Sequence, residues 1–113
     1  MKVKDLVEKL NLIVYSGDAG LDREVTGGYV SDLLSDVMGS SREGDCWITL
    51  QTHKNVAAIA DLRDLGAILL VKSFKPDEDM LESAIENEIP VLGTDKRTFE
   101  ISGEIYNILK ECK

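Results

Sequence analysis

Few residues in this chain have both the type and the spacing for chemistry. Asp32 and Asp36 stand four apart in a segment able to form a short helix, which would put both carboxylates on one face within reach of a shared metal. The same spacing serves equally well as a solvated helix face. His53 is the only histidine, and with Cys46 and Cys112 it falls short of the four ligands of a structural zinc site. Cys46 opens an apolar run, CWITL, where a thiol is usually an inert core group. The sequence contains no GxxxxGK[ST] phosphate loop, no GxGxxG fingerprint and no GxSxG nucleophile elbow. It therefore reads as a non-enzyme, with no catalytic residue, metal or cofactor expected.

Two segments stand out for binding rather than catalysis. The first, Asp22 to Ser35, reads DREVTGGYVSDLLS and carries Gly27-Gly28 inside a strand-like stretch. Glycine weakens a strand, so the doublet needs a cause: a bulge, a close crossing of chain, or a ligand or partner against the backbone. The second, Trp47 to Asn55, reads WITLQTHKN. Here Thr49, Gln51, Thr52, His53 and Asn55 gather where a strand ends and a helix begins. Free N–H groups at a helix start suit a phosphate or carboxylate, although Thr52 or His53 could equally cap the helix. Lys72-Ser73 and Gly93-Thr94-Asp95 follow later strands and would open on the same edge of a parallel sheet.

These positions depend on the elements around them. Val3, Leu6, Val7 and Leu10 mark one face of a first helix. Leu12–Tyr15 reads as a strand, residues 16–24 as a loop, and residues 24–30 as the strand with the doublet. A short helix over Asp32–Met38 is expected, with Ser31 as its N-cap. Cys46–Leu50, the apolar AILLV of Ala67–Val71 and Ile89–Leu92 supply three more strands. Between them lie a helix after His53 that Gly66 stops and a helix begun by Pro76, with Asp77, Glu78 and Asp79 in its first turn. A last helix over Thr98–Glu111 is expected to turn Phe99, Tyr106 and Leu109 inward. Alternation of strand and helix predicts an α/β fold, a mostly parallel sheet of about five short strands flanked by helices, in one domain over residues 1–113.

The net charge is −8, from 13 Lys and Arg against 21 Asp and Glu, and the basic residues are scattered along the sequence. Nucleic acid and membrane surfaces are both disfavoured as partners. The N-terminus lacks the pattern of a signal peptide and no apolar run is long enough to span a bilayer, which points to the cytoplasm.

Asp22, Arg23, Thr26, Gly27 and Gly28, followed by GYVSDLLSDVM, the WITLQTHKNVAAIA block and the AILLV strand, resemble the DRTGG domain family from about Leu12 to Tyr106. The resemblance implies a fold similar to the N-terminal domain of HPr kinase/phosphorylase, without the kinase activity that belongs to a separate phosphate-loop domain. Family members are joined to CBS domains, phosphotransacetylase or cobyrinate-synthase-like domains, which implies a regulatory role in nucleotide sensing or dimer assembly. Three readings follow. The lead is a homodimeric regulatory domain that senses a small anionic or nucleotide-like ligand, or a protein partner, through Thr49, Gln51, Thr52, His53, Asn55 and Thr94. In it Asp22, Arg23, Thr26, Gly27 and Gly28 form the motif surface or interface. The second is a pure protein-interaction module, and the third an enzyme acting on a phosphorylated compound.

Overall fold

The computed structural model describes residues 1–112. In chain order it contains α1 (Val3–Leu10), β1 (Ile13–Val14), β2 (Gly27–Val30), α2 (Leu34–Ser40), β3 (Asp45–Thr49), α3 (Lys54–Leu62), β4 (Ala67–Leu70), α4 (Glu78–Glu86), β5 (Val91–Gly93) and α5 (Thr98–Glu111). The five strands form one sheet in the order β1-β5-β4-β3-β2. β2 to β5 run parallel, and β1 pairs antiparallel with β5. The expected α/β class and mostly parallel sheet are both present. Among the described residues no helix is long and apolar enough to cross a membrane.

Strand side chains alternate between two cores because the strand period is two. Cys46, Ile48, Ala67, Leu69 and Leu92 meet Val3 and Leu6 of α1 and Ile101 and Ile105 of α5. Trp47, Ile68, Leu70 and Val91 meet Val37 of α2, Val56, Ala57 and Ala60 of α3, and Met80 and Ala84 of α4. Three helices thus cover one face and two the other. Both faces of the central strands are dry, which is why AILLV carries no polar residue.

Several local expectations shift. Ser31 does not cap α2; its Oγ accepts the Leu33 N–H at 3.1 Å in a tight turn, and the helix starts two residues later than Asp32. The left-handed residue after α3 is Asp64 (φ +53), not Gly66. Gly66 is needed for a different reason: a Cβ there would lie 2.8 Å from the Glu24 carbonyl oxygen and 3.1 Å from that of Gly44. Phe99 and Tyr106 do not turn inward, being 87% and 67% exposed. Ile101 and Ile105 form the buried stripe of α5, with Ile108 and Leu109 packed beside it, and a helix has one inward face. Aliphatic residues took that face and left the aromatics in water.

Candidate functional site

The parallel strands separate the two sequence segments. The Asp22–Gly27 part of the motif sits at the amino end of the sheet, and the Thr49–Asn55 cluster at the carboxyl end.

At the amino end the residues are tied down. Asp22 and Arg23 do not pair with each other. Asp22 lies 3.0 Å from Lys4, whose ammonium holds the carboxyl below its usual range. Arg23 reaches across to the turn before β4, where Nη2 donates to Asp64 Oδ1 at 2.6 Å and to the Leu65 carbonyl at 3.0 Å, and Nε donates to the same carbonyl. Thr26 Oγ1 donates to the Glu43 carbonyl and fills the space over Gly44, whose φ of +85 already favours glycine. Gly27 pairs with Asp45, and a Cβ on Gly27 would stand 2.8 Å from Asp45 Oδ1. Asp45 Oδ2 in turn accepts the Arg42 N–H at 2.8 Å. Arg23, Thr26 and Gly27 therefore clamp β2 to the turns that lead into β3 and β4. Glu43 and Asp64 meet at this end. A hydrogen bond with Asp64 holds the Glu43 carboxyl above its usual range, while Glu43 and Arg23 hold Asp64 below.

Gly28 differs from its neighbour. It pairs with Cys46 and so faces the α5 side of the sheet, where a Cβ would meet only the Cys46 carbonyl oxygen at an ordinary 3.7 Å. Nothing inside the chain requires glycine there. Gly28 and Val30 instead floor a groove of about 930 Å3 whose far wall is α5, including Phe99, Gly103, Tyr106 and Lys110.

At the carboxyl end the polar residues divide into three groups. Asp32 Oδ1 accepts Thr49 Oγ1 at 2.7 Å and the Leu50 N–H at 3.0 Å, while Gln51 Nε2 donates to the Asp32 carbonyl. Asp32 thus ties the ends of β2 and β3 together. Asp36 lies in α2 and accepts the Tyr29 hydroxyl at 2.8 Å, which pushes that phenol's pKa up. The two carboxylates answer to different partners and do not form the shared face that their spacing allowed. In the second group His53 is exposed at the N-cap of α3 without a capping bond, with Nδ1 3.4 Å from Asp77. Thr52 accepts the Asp77 N–H through its carbonyl, and Asn55 is exposed. In the third group Thr94 is buried, and its Oγ1 accepts the Lys96 N–H at 3.2 Å.

This third group sits at a divergence of the chain. β4 leads into α4 on the three-helix face, whereas β5 leads into α5 on the opposite face. Adjacent strands whose loops leave in opposite directions open a crevice at their carboxyl ends. Lys72 and Ser73 follow β4 in successive left-handed conformations (φ +55 and +62), uncommon for side chains of this kind. The Lys72 N–H donates to the Lys96 carbonyl and the Ser73 N–H to that of Thr94, both at 2.9 Å. The backbones of two lysines far apart in sequence thus meet where the loops part, with Lys96 Nζ paired to both carboxylate oxygens of Glu104 at 2.8 Å. β2, β3 and β4 lead in turn into α2, α3 and α4, all on one face, so the Thr49–Gln51 end has no such divergence. Sequence reasoning placed Lys72-Ser73 and Gly93-Thr94-Asp95 on one edge of the sheet, but it had no signal for the divergence, which depends on which face each helix takes.

The class of protein that the fold defines is a five-stranded, mostly parallel α/β domain with helices on both faces of its sheet. The chain belongs to the DRTGG domain family, whose model matches residues 5–108. Among solved structures it is similar to the CBS and DRTGG domains of the regulatory region of Clostridium perfringens pyrophosphatase, solved with the activator diadenosine tetraphosphate. That match has a TM-score of 0.69 at 18% identity and covers 89% of this chain and 44% of the other. The chain thus spans under half the length of that structure, and the likeness shows the fold. No curated protein matches the sequence.

Proposed function

We propose that this chain is a non-catalytic regulatory module that receives a nucleotide-like or other small anion where β4 and β5 end. The observation that carries the reading is the divergence of the two loops, where a backbone hydrogen bond joins Lys72 to Lys96, in a chain of net charge −8. The N-cap of α5, Arg97, makes no side-chain capping bond, so the first N–H groups of that helix also face this edge. The start of α4 carries Asp77, Glu78 and Asp79 against the single Glu100 in the first turn of α5, which has Lys96 and Arg97 just before it, so the β5–α5 side is the better seat for an anion. In this reading Thr94 shapes the seat, Thr52, His53 and Asn55 form its outer rim, and Thr49 and Gln51 hold the β2–β3 end in place. A nucleotide activator bound by a regulatory region that contains this fold supports the ligand class.

The test is thermal denaturation with adenine and guanine nucleotides and dinucleoside polyphosphates. A true ligand adds roughly 3–4 kcal/mol at 100 to 1,000 times its dissociation constant. Lys72→Ala and Lys96→Ala should each weaken the effect, and inert salt at matched ionic strength should not reproduce it. An unmoved midpoint across the panel would end the reading.

A second reading, a protein-interaction module, is favoured by Gly28, whose missing side chain has no cause within the chain.

A further inference from the structure

The sheet ends differently at its two edges. On one side β1 has two residues, too short to template another strand. On the other side β2 has four, Gly27–Val30, with neither a charge nor a proline, and Val30 is 50% exposed. Ile48 stands opposite Val30 in β3, and its carbonyl accepts the Ser31 N–H at 3.3 Å. Backbone groups alternate in direction along a strand. Tyr29 and Ser31 therefore turn inward to β3, while Gly28 and Val30 turn their N–H and C=O groups outward. Among the described residues no hydrogen bond outside the β2–β3 pairing uses those outward groups. The chain just before β2 is already covered on this side. The Val25 N–H donates to the Met1 carbonyl at 2.7 Å, and the Val3 N–H to the Arg23 carbonyl at 2.9 Å, in an antiparallel pairing. Thr26 then turns inward to the Gly44 carbonyl, and the alternation slips by one residue at Thr26–Gly27, as at a bulge. The cover stops there, and the edge of Gly28 and Val30 is bare.

We infer that the outer edge of β2 receives an extended peptide segment of a partner protein, paired antiparallel, with an aromatic residue opposite Gly28. The inference rests on the interaction-module reading, names its partner, and does not depend on the anion. Backbone chemistry selects the kind of occupant, because an extended chain presents donors and acceptors at the spacing of Gly28 and Val30. Continuity sets the direction, since residues 1–3 already run antiparallel along the same edge. The glycine selects the side chain. A partner residue opposite Gly28 projects to the same face of the sheet, the α5 side. There Gly28 and Val30 floor the groove that Phe99 and Tyr106 wall. An aromatic ring from the added strand would cover the bare glycine backbone, as cross-strand aromatics do for edge glycines, and would lie against two rings that are 87% and 67% exposed. Gly28 then has its cause outside the chain, in the close approach of a second backbone and its ring.

The probe is a displayed library of random short peptides, with each selected sequence then made synthetically. The full chain should enrich peptides in which apolar and polar residues alternate around an aromatic. N-methylating the peptide residue opposite Gly28 or Val30 should weaken binding roughly tenfold in fluorescence anisotropy, because each loses a backbone donor. N-methylating the residue between them should leave binding unchanged. Amide hydrogen exchange, followed by NMR, should slow at Gly28 and Val30 when peptide is added. Gly28→Val should weaken binding with unchanged far-UV circular dichroism, since the added side chain fills the hollow that the ring takes. A library that enriches nothing over an empty support would overturn the inference. Peptides that bind without slowing those two amides, or that tolerate N-methylation at every position, would overturn strand addition and leave the interaction-module reading standing. Slow exchange at both amides that appears with protein concentration alone would assign the edge to a second copy and overturn the peptide as its occupant.

Discussion

Gly27 and Gly28 are adjacent on one edge strand and have opposite explanations. Gly27 belongs to the closed amino end, where Asp45, Arg23, Thr26 and Asp64 leave little unsatisfied and a side chain has no room. Gly28 faces the open groove, where a side chain has room and nothing to pack against. The family motif is therefore two things. Its first part is a clamp that builds the fold, and its last residue belongs to a surface that the fold leaves bare.

The sharpest way to break that contrast is to fill both positions. Gly27→Val forces the Asp45 carboxylate away and should cost about 1–3 kcal/mol, read as a lowered denaturation midpoint. Gly28→Val should stay within about 0.5 kcal/mol of wild type while altering whatever uses the groove. Equal losses from both would erase the distinction. The clamp itself is probed by Arg23→Ala. Most of its cost, roughly 1–2 kcal/mol, should come from the Leu65 carbonyl it leaves unpaired, since the exposed Asp64 carboxylate contributes little. Asp64→Asn should accordingly cost less than Arg23→Ala in urea denaturation.

A smaller effect depends on pH. Asp64 is held below its ordinary pKa, so its contribution is present above the unfolded value and lost as pH falls through the lower folded one, below about pH 4. Glu43 is held above its ordinary pKa, and its contribution runs the other way, present when protonated and lost as pH rises through the raised value. Glu43→Gln keeps a donor for Asp64 and removes the second charge. It should therefore be slightly more stable than wild type at pH 7 and lose that advantage near pH 4, as thermal melts at the two pH values would show. The smallest change concerns the thiols. Burial pushes Cys46 up to about 12, whereas Cys112 is exposed. Native protein should release one equivalent of thiol to a disulfide reagent at pH 8 and a second only on unfolding.

Much of this molecule was determined by the sequence alone. The alternation of aliphatic strands and amphipathic helices specified a parallel α/β sheet because each period demands its own burial pattern. The DRTGG residues identified the family. Tertiary structure decided what those residues do. The partners of Arg23 and Gly27, Asp64 and Asp45, lie 41 and 18 positions further along the chain, and no local pattern couples them. Phe99 and Tyr106 looked like core because aromatics usually are, but one helix has one inward stripe and four aliphatic residues claimed it. The divergence of the chain after β4 and β5 follows from α4 and α5 taking opposite faces of the sheet. Periodicity specifies that a helix has an apolar face, and only the packed sheet decides which side of the molecule that face covers.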